Sequence, residues 1–345
     1  MTDALAVPVE IIAELGQGFE GRLEQGRLLL RAAAAAGADA AKFQLVYADE
    51  LATPDYQYYD LFRSLEMADA AWEELSAYAR ERHIDLHFDV FGARSLSLAE
   101  RMGAQALKVH GTDIANVGLL TQIARSAVPK ILLGAGGAFL PEIEQALELL
   151  KGKDIVILLG FQGYPTPNHA NQIARISALS VRLSTRRPGI TIGFADHASP
   201  TSHMAIALAA TALGAGARTF EKHLTLGEVM KMEDYEAALN PDRFSDFVKA
   251  MRDCAEAYGQ CRNVADFGMD AAEHTYRQMI RRHVVAHRAI EAGARIEPAD
   301  LVLKRTSVVD HLTDLRQVYG ATATRNIAAN EPMSPADVSA SGGAS

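Results

Sequence analysis

Charged and imidazole-bearing residues recur at the ends of short apolar runs in this chain. Glu14 closes EIIAELG (10–16), and Lys42 and Gln44 close the run at 39–44. His87 and Asp89 end IDLHFDV (84–90), and Lys108 and His110 end ALKVHG (106–111). Gln162 and Tyr164 follow IVILLGF (155–161), Asp196 and His197 end TIGFADH (191–197), and Glu221, Lys222 and His223 fall in RTFEKHL (218–224). The opposite ends of these runs are mostly apolar. A buried charge without a partner is costly, so a set of them points to one shared polar site. Two imidazoles can bind one divalent ion and leave positions open for water and substrate, which makes His197 and His223 a candidate metal pair. Hydrogen-bonded structural histidines are the competing reading. Lys42 and Lys108 are candidates for binding an anion or for forming a Schiff base.

The runs that carry these residues alternate with Ala/Leu/Glu-rich helical stretches over residues 1 to about 260. With KILLGAG (130–136) the strand candidates number eight. Near-continuous apolar strands between helices are parallel and buried on both faces. Eight such units predict a closed (β/α)8 TIM barrel, whose reactive groups gather where the strands end. An open, doubly wound sheet is the alternative. Side chains alternate along a strand, so Lys42 shares a face with Gln44, Lys108 with His110 and Glu221 with His223, while Lys222 points toward the helices. GAGGAF (134–139) is either an anion-cradling turn or a tight entry into the next helix. The helix before Gly37 and the one between Pro141 and Gly152 carry the expected end signals. Residues 45–69 form an exceptionally long connection with four tyrosines, either a functional lid or a packed rim loop.

The formal net charge of −9 and the lack of a basic stripe exclude nucleic acid and an anionic membrane as expected partners. No apolar run is long enough to span a bilayer, and the first residues do not read as a signal peptide. Cys254 and Cys261 are expected to be packing residues in a reducing cytoplasm. The domain reading is a barrel over 1–265, a linker over 266–281 and a small β-rich module over 282–341, with a disordered tail.

An ordered set of stretches resembles the sialic acid synthase family, the phosphoenolpyruvate-dependent synthases of nonulosonic acids. They are IIAELG, GADAAKFQ, LKVHGTDIAN, YPTP (164–167), GFADH, FEKHLTL and ALNPDRF. VVAHRAIEAGARIEPADLVLKR and YGATATRNI are similar to that family's antifreeze-like (SAF) domain. The resemblance implies that a divalent metal, Mn²⁺ or Mg²⁺, polarises the carbonyl of an open-chain amino sugar while C3 of phosphoenolpyruvate attacks it. It assigns His197 and His223 as metal ligands, Glu14 as a carboxylate near the sugar, and Lys42 and Lys108 as donor-binding lysines. Tyr164 and Glu221 match further site positions, and Gln44 joins them at a strand end. Arg305 matches an arginine inserted into the partner subunit's barrel, which implies a domain-swapped homodimer. Several positions depart from the family pattern. Gly111, Gly134 and Ala195 stand where hydroxyl side chains usually surround the donor, Gln162 replaces an asparagine, and Asp89-Val90 replaces threonine-proline. Thr112 and bare backbone N–H groups are the expected substitutes. Three functions follow: a metal-dependent synthase, a barrel aldolase or lyase with another donor, and a non-catalytic sugar-acid binding protein.

Overall fold

The computed structural model describes residues 7–161, 163–184, 189–260, 265, 267–308 and 311–339. The chain divides into two units, Met1–Gln260 and Cys261–Ser345. Among the described residues no helix is long and apolar enough to cross a membrane.

The first unit is the expected barrel. Its strands are β1 (Glu10–Gly16), β2 (Ala40–Gln44), β3 (Asp85–Val90), β4 (Ala106–Val109), β5 (Lys130–Gly134), β6 (Asp154–Leu159), β7 (Thr191–Asp196) and β8 (Thr219–His223). All neighbours pair in parallel and β8 returns to β1, closing the sheet. The helices between them include α1 (Leu23–Ala35), α2 (Ala48–Leu51), α3 (Tyr59–Leu65), α4 (Asp69–Glu81), α5 (Ala93–Met102) and α6 (Val117–Arg125). The series continues with α7 (Leu140–Leu149), α8 (Ala174–Ser184), α9 (Met204–Gly214) and α10 (Pro241–Tyr258). The long connection after β2 thus carries two short helices, α2 and α3, on its way to α4.

Two cores hold the barrel. Outside the strands, Trp72 meets Phe19, Phe43 and Phe88 edge-on, with ring centroids 5.1–5.9 Å apart. Such arrangements add stabilisation beyond area burial. Inside, Ile12, Ala40, Ala106, Leu132, Val156 and Leu158 form a separate apolar plug. Two residues further along the same strands the inward positions become Glu14, Lys42, Lys108 and Gly134. The period of two therefore converts an apolar floor into a polar layer directly above it.

The second unit begins with a helix, α11 (Ala271–Ile280), inside the stretch expected as a linker. β9 (His283–Ala286) pairs antiparallel with β10 (Leu301–Lys304), and β11 (Thr322–Ala323) with β12 (Val338–Ser339). The sequence Pro-Ala-Asp occurs twice, and each copy makes the same one-turn cap. Asp300 accepts from the Glu297 amide and pairs with Arg288; Asp337 accepts from the Ser334 amide and pairs with Arg325. Val284, Ile290, Ile296, Val318, Ile327 and Met333 fill the core between the two copies.

Candidate active site

The polar layer inside the barrel is a compact ionic cluster. Lys42 Nζ sits against Glu14, 2.6 Å from Asp89 Oδ1 and 3.5 Å from Glu221 Oε2. Lys108 Nζ is 2.6 Å from Glu221 Oε1 and 3.8 Å from both Glu14 and Asp89. Strand register explains the meeting: Glu14 lies beside Lys42 on β1 and β2, and Asp89 beside Lys108 on β3 and β4. Three carboxylates thus face two ammonium groups with almost no solvent. Burial pushes Glu14 up to about 8, Lys42 opposes the rise and Glu221 adds to it. Protonation of Glu14 at neutral pH balances the cluster, leaving two carboxylates and two cations. Burial also pushes Glu221 up, but Lys108 and Lys42 outweigh it and bring it below the usual range. For both lysines burial favours the neutral amine, yet the surrounding carboxylates win and keep the ammonium.

Above the cluster lies a narrow inner well, with about 20 Å³ of free space for a water-sized group. Lys108, Glu14, Glu221, Tyr164, His197 and His223 line it, with Gln44 at its edge. Lys42 and Asp89 do not line it; both are completely buried beneath. Gly134, Gly160 and Ala195 complete a bare wall. At Gly134 an added Cβ would stand 2.9 Å from the Gly111 amide and the Val109 carbonyl. No side chain, hydroxyl or otherwise, enters there without moving the backbone, which accounts physically for that missing group.

His197 and His223 face each other with ring centroids 5.4 Å apart. His197 Nδ1 lies 2.8 Å from the Phe161 carbonyl. A carbonyl only accepts, so Nδ1 carries the proton and Nε2 keeps its lone pair, the orientation that metal-binding imidazoles need. Burial pushes His197 down to about 4 and His223 well below its ordinary value. Two neutral, inward-facing imidazoles suit a divalent ion. Among the described residues no third His, Cys, Asp or Glu gathers with them as a ready ligand set. Such an ion would complete its shell with substrate and water. Ordinary imidazoles would weaken metal binding by roughly tenfold each per pH unit below 6.5. Because both are held neutral, Mn²⁺ affinity measured by paramagnetic resonance is expected to change less than about threefold between pH 7 and 5.5 and to fall only near pH 4.

Tyr164 stands over both imidazoles, its hydroxyl 3.5 Å from His197 Nε2. Burial raises its phenol, so it remains a donor. Tyr164, Gln44 and His110 also border an outer vestibule of about 780 Å³. The long connection after β2 supplies one wall of it through Asp49, Thr53, Tyr56 and Phe62, so this loop does more than cover the rim. Thr112 is exposed in the vestibule, away from the inner well. Gln162 lies outside the described residues. Arg305 is exposed just after β10 on the second unit. Two residues escaped the sequence reading. Gln17 donates to Gln44 at 2.8 Å, and Asp234 brings Oδ2 within 3.8 Å of His223 Nδ1. Burial, with Glu233 and Glu236 close by, raises Asp234 to about 6. Both sit on loops, where no strand period marks them.

The NeuB family model matches residues 29–263, and the SAF domain model matches 281–339. The chain belongs to the NeuB family. Over 343 residues it is 25% identical to N,N'-diacetyllegionaminic acid synthase of Legionella pneumophila, covering 94% of this chain and 92% of that one. Spore coat polysaccharide biosynthesis protein SpsE of Bacillus subtilis is 31% identical, with 71% and 67% covered. A solved spore coat polysaccharide biosynthesis protein E from Chromobacterium violaceum superposes with a TM-score of 0.79 at 24% identity, covering 96% of this chain and 100% of that one. This NeuB-family chain is an enzyme of the phosphoenolpyruvate-dependent, carbon–carbon-forming synthase type. That sets aside the non-catalytic binding protein.

Proposed function

We propose that this enzyme is a divalent-metal-dependent synthase that condenses phosphoenolpyruvate with an open-chain, amino-type sugar aldehyde. The products are a 2-keto-3-deoxy sugar acid of nonulosonate type and phosphate. The observation that carries this reading is one well in which two neutral imidazoles stand beside Glu14, Glu221 and Lys108. His197 and His223 would hold Mn²⁺ or Mg²⁺, which supplies Lewis acidity at the acceptor carbonyl. Lys108 meets the donor's negative charge. As C3 of the donor joins the aldehyde carbon, protonated Glu14 can give its proton to the developing alkoxide. Glu221 fixes Lys108 through their 2.6 Å hydrogen bond. Tyr164 caps the reacting centre, and the vestibule takes the rest of the sugar. Water adds at C2 and phosphate leaves. Both lysines are held as ammonium, which counts against a Schiff-base aldolase, since that chemistry needs a neutral amine.

A homodimer belongs to the same proposal. Phe139, Phe161 and Val229, on the loops after β5, β6 and β8, are exposed apolar groups near the barrel mouth. The small domain of a second subunit would cover them and bring its Arg305 to the donor. A cytoplasmic location is part of the reading, because phosphoenolpyruvate is a metabolite of that compartment. The test is phosphate release from phosphoenolpyruvate across a panel of amino-sugar and plain aldehydes, with and without Mn²⁺. Release is expected with at least one amino-sugar aldehyde and only with metal. No release with any aldehyde under any metal would overturn the assignment.

A further inference from the structure

Asp89 has the position of a charge regulator. It is fully buried, it holds Lys42 Nζ at 2.6 Å, and its second oxygen lies 3.8 Å from Lys108 Nζ without a hydrogen-bond partner. Lys42 is fully buried beneath the floor, where Glu14 as well as Asp89 holds its ammonium. Among the described residues Lys108 is therefore the only ammonium that lines the well, and it faces Glu14 and Glu221 there. We propose that Asp89 limits the negative charge the well accepts from its donor, by keeping Lys42 out of the well and offsetting its charge. The proposal rests on the reading that this well takes an anionic donor. Asp89 acts through Lys42 and is a positioning residue. It tunes the enzyme toward weak donor binding, so that the donor's phosphate and carboxylate are not both met by free lysines.

The variants are Asp89→Asn, which removes the charge and keeps the shape, Asp89→Glu, which restores it, and the double variant Asp89→Asn with Lys42→Met. The first measurement is calorimetric binding of inorganic phosphate, then of phosphoenolpyruvate, to the metal-free full chain. D89N is expected to bind phosphate about tenfold tighter or more, the effect of removing one buried like charge. D89E is expected to match the native protein, and the double variant is expected to lose the gain. Mass-spectrometric acylation is expected to label Lys42 faster in D89N than in the native chain. The KM for phosphoenolpyruvate is expected to fall in parallel. Unchanged or weaker phosphate binding by a cooperatively melting D89N overturns the proposal, and so does a double variant that keeps the gain. If D89N does not melt cooperatively, Asp89→Ser takes its place under the same criteria. Tighter phosphate binding by D89N in a protein that turns over no phosphoenolpyruvate upholds the role of Asp89 and refutes the donor reading.

Discussion

His223→Ala is expected to lower kcat/KM by roughly a thousandfold and to abolish saturable Mn²⁺ binding. An ion held by this pair would contribute several kcal/mol of charge stabilisation at the acceptor carbonyl, all of it lost in the variant. The residue is buried, touches Tyr164 and His197 by ring contacts and is held neutral by burial, with one ring nitrogen left to bind an ion. His197→Ala is expected to match it, and the double variant to cost little more than either single change, because in the proposed site both would serve one ion. Steady-state rates with and without Mn²⁺, together with a metal titration, separate the cases. A loss below about tenfold with intact metal binding would make both residues structural hydrogen-bonding histidines.

The second large effect concerns stability. Asp196 and Lys222 oppose each other on β7 and β8, on the side of the sheet that faces the helices. Lys222 Nζ is 3.4 Å from Asp196 Oδ2 and donates to the Ala198 carbonyl at 3.0 Å, while the Ala198 amide donates to Asp196 at 2.8 Å. The pair thus brackets His197 from behind. Lys222→Met is expected to destabilise the barrel by about 3 kcal/mol or more, because it leaves a buried carboxylate unpaired. In a unit of this size that lowers Tm by roughly 6 °C or more. Adding Asp196→Asn is expected to recover part of the loss, since the orphaned charge is then gone. Calorimetric melting of the three proteins checks this; a double variant less stable than the single one refutes the pairing argument.

Much of the architecture was legible because a parallel barrel repeats one simple rule. Inward side chains come every second residue, and on β1, β2 and β4 an apolar inward residue is followed by a charged one nearer the strand's end. Ile12 and Glu14, Ala40 and Lys42, and Ala106 and Lys108 all follow it, and Lys222 points outward as alternation demands. Depth was harder to read. Gln44 reaches the well while Lys42, one layer lower, is sealed beneath it, and only the closed register shows which layer the floor cuts. Asp234 and Gln17 were missed because loop residues reach a site by tertiary folding, not by period. The long connection after β2 read as irregular because α2 and α3 are each barely one or two turns and lack side-chain N-cap bonds. Gly134 was visible as a missing hydroxyl, but its cause, backbone packed at 2.9 Å, lies at the end of neighbouring β4 and in the turn just after it.

The two Pro-Ala-Asp caps of the second unit have a consequence for how that unit folds. The same spacing that separates the caps also separates Ile290 from Ile327, and these two residues exchange backbone hydrogen bonds with each other at 2.9 and 2.8 Å. Ala286 likewise donates to Glu331 and accepts from Asn330. The two copies therefore clasp across a local pseudo-twofold axis that runs between the isoleucines. Each copy closes the open edge of the other, so neither has a complete set of backbone partners alone. The unit is therefore expected to fold as one cooperative piece, since its backbone pairing joins segments 37 residues apart, Ile290 with Ile327.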